Sequence, residues 1–348
     1  MERASSVFSP VRAWLVWAVL LVTTLGATIS APAVAPTRYT TVSMFGVDYV
    51  DARDFGNRYG LTATWTEPQK AMRLKNASTT FEIAVNSVDA SLNGLRVFLG
   101  EPIVIRDGKL YLSRNDAEDL LGPILLMSAT GLRAPLKTIV VDAGHGGNDP
   151  GNQNARLKLN EKTFTLDVAR RLERLLKADG FKVVMTRKSD RAVELDRRAE
   201  ISTRARADLF VSIHFNAFAK PDIAGTETYV MTPRNQRSSP QAERDMSMVT
   251  TAYPANRYDD VNAVLGFQMH RAMIAGLKSA DRGLKRFRYS VLRSVDCPAV
   301  LVEAAFLSND AEGRKVSTAA YRQRIAESIA AGIRQHAALR QTAKPKRG

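Results

Sequence analysis

The sequence predicts an α/β protein: a mostly parallel twisted sheet with helices on both faces, preceded by a small β-rich α+β segment. Three observations predict it. The chain has 348 residues, and domains commonly take about 100 to 200. Its early part is written in short strand-like pieces separated by Asn-Gly and Asp-Gly turns. Its later part alternates apolar strands with amphipathic helices.

Residues 1–35 come first in the chain and stand apart from the fold. Arg3 and Arg12 precede an apolar run from Ala13 to Ala31, followed by Pro32 and Pro36 among small residues, the three sections of a secretory signal. An uncleaved membrane anchor is the alternative, because the run approaches the roughly 20 apolar residues that span a bilayer. On either reading the rest of the chain is exported, to the periplasm or cell envelope, and touches a membrane only through this segment if it is not removed. The formal charge of +15 makes an anionic polymer an expected neighbour. Nucleic acid is not expected, since the basic residues are dispersed and no helix-turn-helix, RNA-binding or zinc-finger pattern occurs. An anionic cell envelope suits an exported protein better, and a basic surface that only keeps the chain soluble is the alternative.

Residues 38–130 read as strands in "TTVSMFGVDYVDA", "KAMRLKNAS", "FEIAVNS", "ASLNGLRVFLG" and "EPIVIRDGKLYLS", with helical pieces "ARDFGNRYG" and "RNDAEDLLG". Asn93-Gly94 and Asp107-Gly108 are hairpin dipeptides. The stretches "YVDARDFGNRYGLTATWTEPQKAMRL" and "NGLRVFLGEPIVIRDGKLYLS" resemble the copper amine oxidase-like N-terminal domain of exported bacterial enzymes. Copper is not expected there, because the segment has no His or Cys. A role in positioning rather than catalysis is expected for it.

Residues 135–340 begin with strand "KTIVVDAG" and helix "EKTFTLDVARRLERLLKADG", whose Phe164, Val168, Leu172, Leu175 and Leu176 share a face and whose end is marked by Gly180. Strand "FKVVMTR", helix "ELDRRAEISTRARA" and strands "DLFVSIHFNA" and "GTETYVM" follow. A helix from Val261 to Lys278, strand "PAVLVEAAF" and a last helix from Ala319 to about Leu339 complete the alternation. Such sheets hold ligands at the carboxyl ends of their strands. Cys297, alone in the chain and just before an apolar strand, reads as a small buried filler.

His145, Glu161, His214 and Glu303 each stand at a predicted strand end or helix start, too far apart in sequence for a local motif. A hydrolytic zinc site takes three protein ligands and keeps one position open, and two histidines with one carboxylate is a recurrent set. Glu303 remains to move protons. The plainer readings are a turn for His145, a satisfied core position for His214 and a dipole-favoured first-turn acid for Glu161. Against them stand the glycines around His145 and the cost of burying an unpaired Glu303 carboxylate in "AVLV". His270 and His336 read as surface or groove histidines. Asp142 either orients the His145 ring or caps its loop.

Residues from about Leu136 to His336 resemble the zinc-dependent N-acetylmuramoyl-L-alanine amidases. The resemblance is carried by "VVDAGHGGNDPG", "NEK", "SIHFNA", "RGLKRFRYSVLR" and "PAVLVEAAFLSN". It implies Zn²⁺ on His145, Glu161 and His214, a catalytic Glu303, and cleavage of the sugar–peptide amide of peptidoglycan. A protein activator of unknown identity is a further expectation. The polar run 232–260 departs from the family pattern and is expected to form a mobile cover over the zinc cleft. A zinc peptidase acting on stem peptides and a non-catalytic wall-binding module are the rival readings.

Overall fold

A strand buried on both faces belongs in the middle of a sheet, and three segments meet that condition with β-branched and small apolar residues. They are β10 (Thr138–Ala143), β14 (Leu209–Asn216) and β17 (Ala299–Phe306), paired in parallel in the order β10-β14-β17. The computed structural model describes residues 39–127, 135–239 and 246–342, so the segment 1–35 read as an export signal lies outside it. No helix among the described residues is long and apolar enough to cross a membrane.

The earlier elements are β1 (Thr41–Met44), β2 (Val47–Asp51), α1 (Ala52–Arg58), β3 (Thr62–Glu67), β4 (Ala71–Lys75), β5 (Thr80–Ala84), β6 (Asp89–Leu92), β7 (Leu95–Phe98), β8 (Val104–Arg106) and β9 (Lys109–Ser113). A π-helical turn, Asp116–Leu121, leads into α2 (Gly122–Leu126). Around the three central strands come β11 (Gln153–Asn154), β12 (Leu159–Asn160), α3 (Glu161–Ala178), β13 (Lys182–Met185), α4 (Leu195–Ala205), β15 (Thr226–Val230), α5 (Met246–Thr250) and α6 (Asp259–Leu277). The chain continues through β16 (Asp281–Arg286), α7 (Ser290–Arg293), α8 (Asp310–Ser317) and α9 (Ala319–Thr342).

The large sheet has eleven strands in the order β13-β10-β14-β17-β15-β16-β7-β6-β5-β4-β3. Its β13-β10-β14-β17 part is parallel, β15 runs antiparallel to β17, and the β7-to-β3 meander is antiparallel, so the sheet as a whole is mixed. Strand β16 was not foreseen, because five of the six positions in "DRGLKR" are charged or glycine; burial of its last four residues shows that neighbouring strands hold it in place. It joins the two stretches of sequence by pairing in parallel with β7 at Leu284 and Val97.

One apolar core runs beneath both stretches. Ile139, Val141, Ile213 and Val302 meet Val168, Leu172, Met269 and Ile329 of α3, α6 and α9, and the same cluster continues to Val97, Phe81, Leu74 and Phe55. A second cluster, containing Ala199, Phe210, Leu292 and the buried Cys297, packs α4 and α7 on the opposite face. Two expectations are corrected here. His270 and His336 are both fully buried rather than lying on a surface or groove. His270 bridges Thr228 Oγ1 (3.0 Å) and Asp281 (2.8 Å), whereas burial pushes the His336 imidazole, without a hydrogen-bond partner among the described residues, down to about 3.

The described parts of the 232–260 run are docked, which corrects the expectation of a mobile cover for those parts; residues 240–245 lie outside the described residues. Gln236 donates to Asp116 (3.0 Å), the Ser239 main chain pairs with Arg286, and Arg288 donates to the carbonyls of Pro233 and Gln236. Asp116, wholly buried, also accepts from Gly100 N (2.9 Å), Glu101 N (3.2 Å), Ser113 Oγ (2.6 Å) and the Arg286 guanidinium. Removing one partner of a buried ion pair leaves the other charge unpaired at a cost of about 3–5 kcal/mol. Asp116→Asn is therefore expected to lower a single cooperative melting transition. A separate early transition would show that the two stretches melt independently.

Candidate metal centre

The carboxyl end of β10 is shaped by two buried arginines. Arg187 donates from Nε to Ala143 O (2.9 Å) and from Nη2 to Gly144 O (2.8 Å), while Arg198 donates to Ala143 O (2.9 Å) and His145 O (3.1 Å). Their grip holds His145 in the left-handed region, at φ 60°, a conformation that needs outside support in a non-glycine residue. Asp142, fully buried, accepts from Arg198 (2.6 Å), Thr186 Oγ1 (2.7 Å) and Ser212 Oγ (2.7 Å). It thus acts on the His145 main chain through Arg198, and does not orient the ring or cap the loop.

Ring orientation falls to Asp149, which sequence reasoning missed. Its Oδ2 lies 2.7 Å from His145 Nδ1, and its Oδ1 accepts from Gly151 N (3.0 Å). That leaves His145 Nε2 pointing at Glu161 Oε2, 3.0 Å away. Glu161 opens α3 with its side chain wholly buried. Its Oε1 accepts from Phe215 N (2.9 Å) and faces His214 Nδ1 (2.9 Å), and its Oε2 accepts from Asn152 N (2.8 Å). The two imidazoles meet edge to face with centroids 5.0 Å apart.

One ligand atom from each of His145, Glu161 and His214 lies within 4.8 Å of the others. Burial alone would raise the Glu161 pKa, but the bonds from His145 and His214 hold it down to about 2. For His145, desolvation works downward and is outweighed by Glu161 and Asp149, so its pKa is raised. A buried carboxylate this strongly committed to its charge calls for cationic company. Two nitrogens and one oxygen converging on it suit a zinc ion.

Glu303 stands in the same row of the sheet, paired in register with His214 on one side and Glu227 on the other. It is buried, and its Oε2 has no hydrogen-bond partner among the described residues. Desolvation, then the charges of Glu161 and Glu227, raise its pKa well above the ordinary carboxylate range against the opposing Lys285. Glu227, read from sequence only as part of a strand, is saturated: Oε1 accepts from Lys285 (2.6 Å) and Arg282 (3.2 Å), Oε2 from Tyr229 (2.7 Å) and Asn216 (2.8 Å). Burial pushes its pKa up, but Lys285 and the other donors bring it below the usual value.

This combination, a parallel α/β core with a two-histidine, one-carboxylate cluster at its carboxyl edge and a buried glutamate beside it, defines a protein with a candidate hydrolytic metal centre. Residues 139–335 match the N-acetylmuramoyl-L-alanine amidase family, and residues 39–122 match the copper amine oxidase N-terminal domain. The chain belongs to the N-acetylmuramoyl-L-alanine amidase family. It is similar to the probable N-acetylmuramoyl-L-alanine amidase AmiB of Haemophilus influenzae, 33% identical over 225 residues, 58% of this chain and 52% of that protein. The amidase AmiC of Escherichia coli is 32% identical over 218 residues, 57% of this chain and 52% of that protein. The chain thus spans about half the length of these curated relatives. The catalytic domain of CwlV, an N-acetylmuramoyl-L-alanine amidase from Bacillus (Paenibacillus) polymyxa var. colistinus, is 31% identical with a TM-score of 0.47, covering 57% of this chain and 97% of that one.

The glycines at 144 and 151 are demanded by close approach. A Cβ at Gly144 would sit 2.3 Å from His214 Cε1; one at Gly151, where φ is +66°, would sit 2.6 Å from both Glu161 Oε2 and His145 Cδ2. Gly151→Ala is expected to destabilise the fold by about 1–3 kcal/mol through this overpacking. Chemical denaturation of parent and variant measures it, and equal midpoints would show that the Pro150–Asn152 loop yields freely.

Proposed function

We propose that the chain is a zinc-dependent hydrolase that cleaves the amide between N-acetylmuramic acid and L-alanine in peptidoglycan, in cell-wall remodelling or daughter-cell separation. The observation that carries the reading is the convergence of His145, Glu161 and His214 on one point with Glu303 next to them in the sheet. Membership of the amidase family and the names of the relatives support it. The segment 1–35 would deliver the chain to the periplasm or cell envelope, where its substrate lies. Residues 135–340 would carry the chemistry, with 38–130 as a distinct segment that positions it.

His145, Glu161 and His214 would hold the ion, which when bound lowers the pKa of water from 15.7 toward about 7 and polarises the scissile carbonyl. The chain's own work is proton transfer. Glu303 takes a proton from the attacking water as the carbonyl carbon is attacked. It then delivers that proton to the departing L-alanine nitrogen, leaving a lactyl carboxylate and a free amine. Burial beside Glu161 and Glu227 favours the protonated form of Glu303, which suits delivery of the proton to the departing nitrogen. Asp149 keeps the His145 Nδ1 occupied so that Nε2 stays available.

Glu303→Gln keeps size and removes the base. It is expected to retain stoichiometric zinc while losing about 10²- to 10⁴-fold in rate, whereas His145→Ala and His214→Ala lose zinc as well. Metal content beside turnover separates these outcomes. Full activity in Glu303→Gln, or tight zinc in both histidine variants, overturns the assignment. Product mass decides the substrate bond: a newly freed L-alanine amino group marks the amidase, and a cut within the stem marks a peptidase.

Asp149→Ala should weaken zinc affinity about 10- to 100-fold, the usual effect of losing the group that orients a ligating histidine. Competition with a chromogenic chelator measures it; unchanged affinity would assign ring orientation elsewhere.

A further inference from the structure

The row of side chains that contains Glu303 does not stop at the centre. Glu227 is bonded to Lys285, whose Nζ lies 5.1 Å from the centroid of the Phe98 ring on β7, and the Arg96 guanidinium carbon lies 4.8 Å from the same centroid. From Arg96 the register runs Arg96 to Ser91, Ser91 to Glu82 and Glu82 to Arg73, strand by strand. Residues opposite one another in a ladder project to the same face. The core side of these strands is taken by Val97, Leu92, Ile83 and Met72. Arg73, Glu82, Ser91 and Arg96 therefore lie on the other side, the face that carries Glu303. This face is open, with Thr66, Arg73 and Gly94 exposed, and it holds a cleft of ≈ 540 Å³ that reaches Asp281.

We propose that this face is a second substrate site, which binds a neighbouring peptide stem of the same peptidoglycan while Glu303 acts on the first; the proposal rests on the amidase reading. Two arguments fix the occupant. The cleft offers two cations and three carboxylates, Arg73 with Glu82, Arg96 with Asp89, and Asp281 at its end, and peptide stems carry both carboxylates and amines whereas the sugars between them would use few of these charges. The Arg73–Glu82 pair is exposed and the Arg96–Asp89 pair half-buried, so exchanging a partner of the first for a ligand group costs little. Reach supplies the second argument. Five strand steps of about 4.8 Å place Glu82 about 24 Å from Glu303, and an extended peptide of about five residues spans at most about 17 Å. The stem being cut can reach Arg96, three steps or about 14 Å from Glu303, but not the Arg73–Glu82 end of the cleft, which is left to a stem cross-linked or adjacent to it.

The full chain is assayed in two ways: sedimentation with purified sacculi, and kinetics on a monomeric muropeptide and a cross-linked dimer. The variant Arg73→Gln is expected to bind sacculi about tenfold more weakly, as for charges that guide recognition. Its KM on the dimer rises while kcat, and all constants on the monomer, stay at parent values. The control Lys177→Gln removes the same charge from an exposed position on α3. Parent-like binding by the first variant, or an equal loss in the control, overturns the second site. If the parent cleaves neither fragment while the binding difference persists, the amidase reading fails and the stem-binding face stands.

Discussion

A carboxylate placed wholly inside a protein must be matched by cations or bonds, or it would take up a proton. Glu161 meets that demand at the first turn of α3, between two imidazoles and two main-chain N–H groups. Much of the surrounding structure follows from satisfying it. His145 must leave the ordinary backbone regions to reach Glu161, so Arg187 and Arg198 are buried to hold the carbonyls that would otherwise point unpaired into the core. Burying those arginines requires Asp142, which in turn needs Thr186 and Ser212. The polar interior of this half is one connected arrangement built outward from a single charge.

The same logic separates Glu303 from Glu161. Both are buried carboxylates, yet Glu161 is surrounded by donors and Glu303 by other negative charge. Environment rather than residue type sets them apart, one held as an anion and the other pushed toward its protonated form.

How far the sequence could be read depended on whether a residue's role was local. Strands β10, β14 and β17 were plain because burial on both faces leaves an unbroken apolar run. The four candidate site residues stood out because each interrupts such a run or opens a helix. Asp149 was within reach, four residues after His145 in "GHGGND", but an acidic residue in a glycine-rich turn has too many ordinary explanations. Glu227, Arg187 and Arg198 were not legible, since their partners lie far away along the chain. His270 and His336 misled because a polar residue in a helix usually faces water, while here α6 and α9 are covered by the sheet and by each other. Strand β16 was hidden by its charges, which make sense only once Glu227 and Asp116 are seen to receive them.

The junction at β16 and β7 carries a consequence for how the chain acquires its shape. Arg96 and Asp281, joined there, are 185 residues apart in sequence. Contacts of such separation form late, because a long loop must close first. During synthesis the meander from β3 to β7 would emerge with one flank unpaired, waiting for a partner made near the end of translation, and unpaired strand flanks invite association between chains.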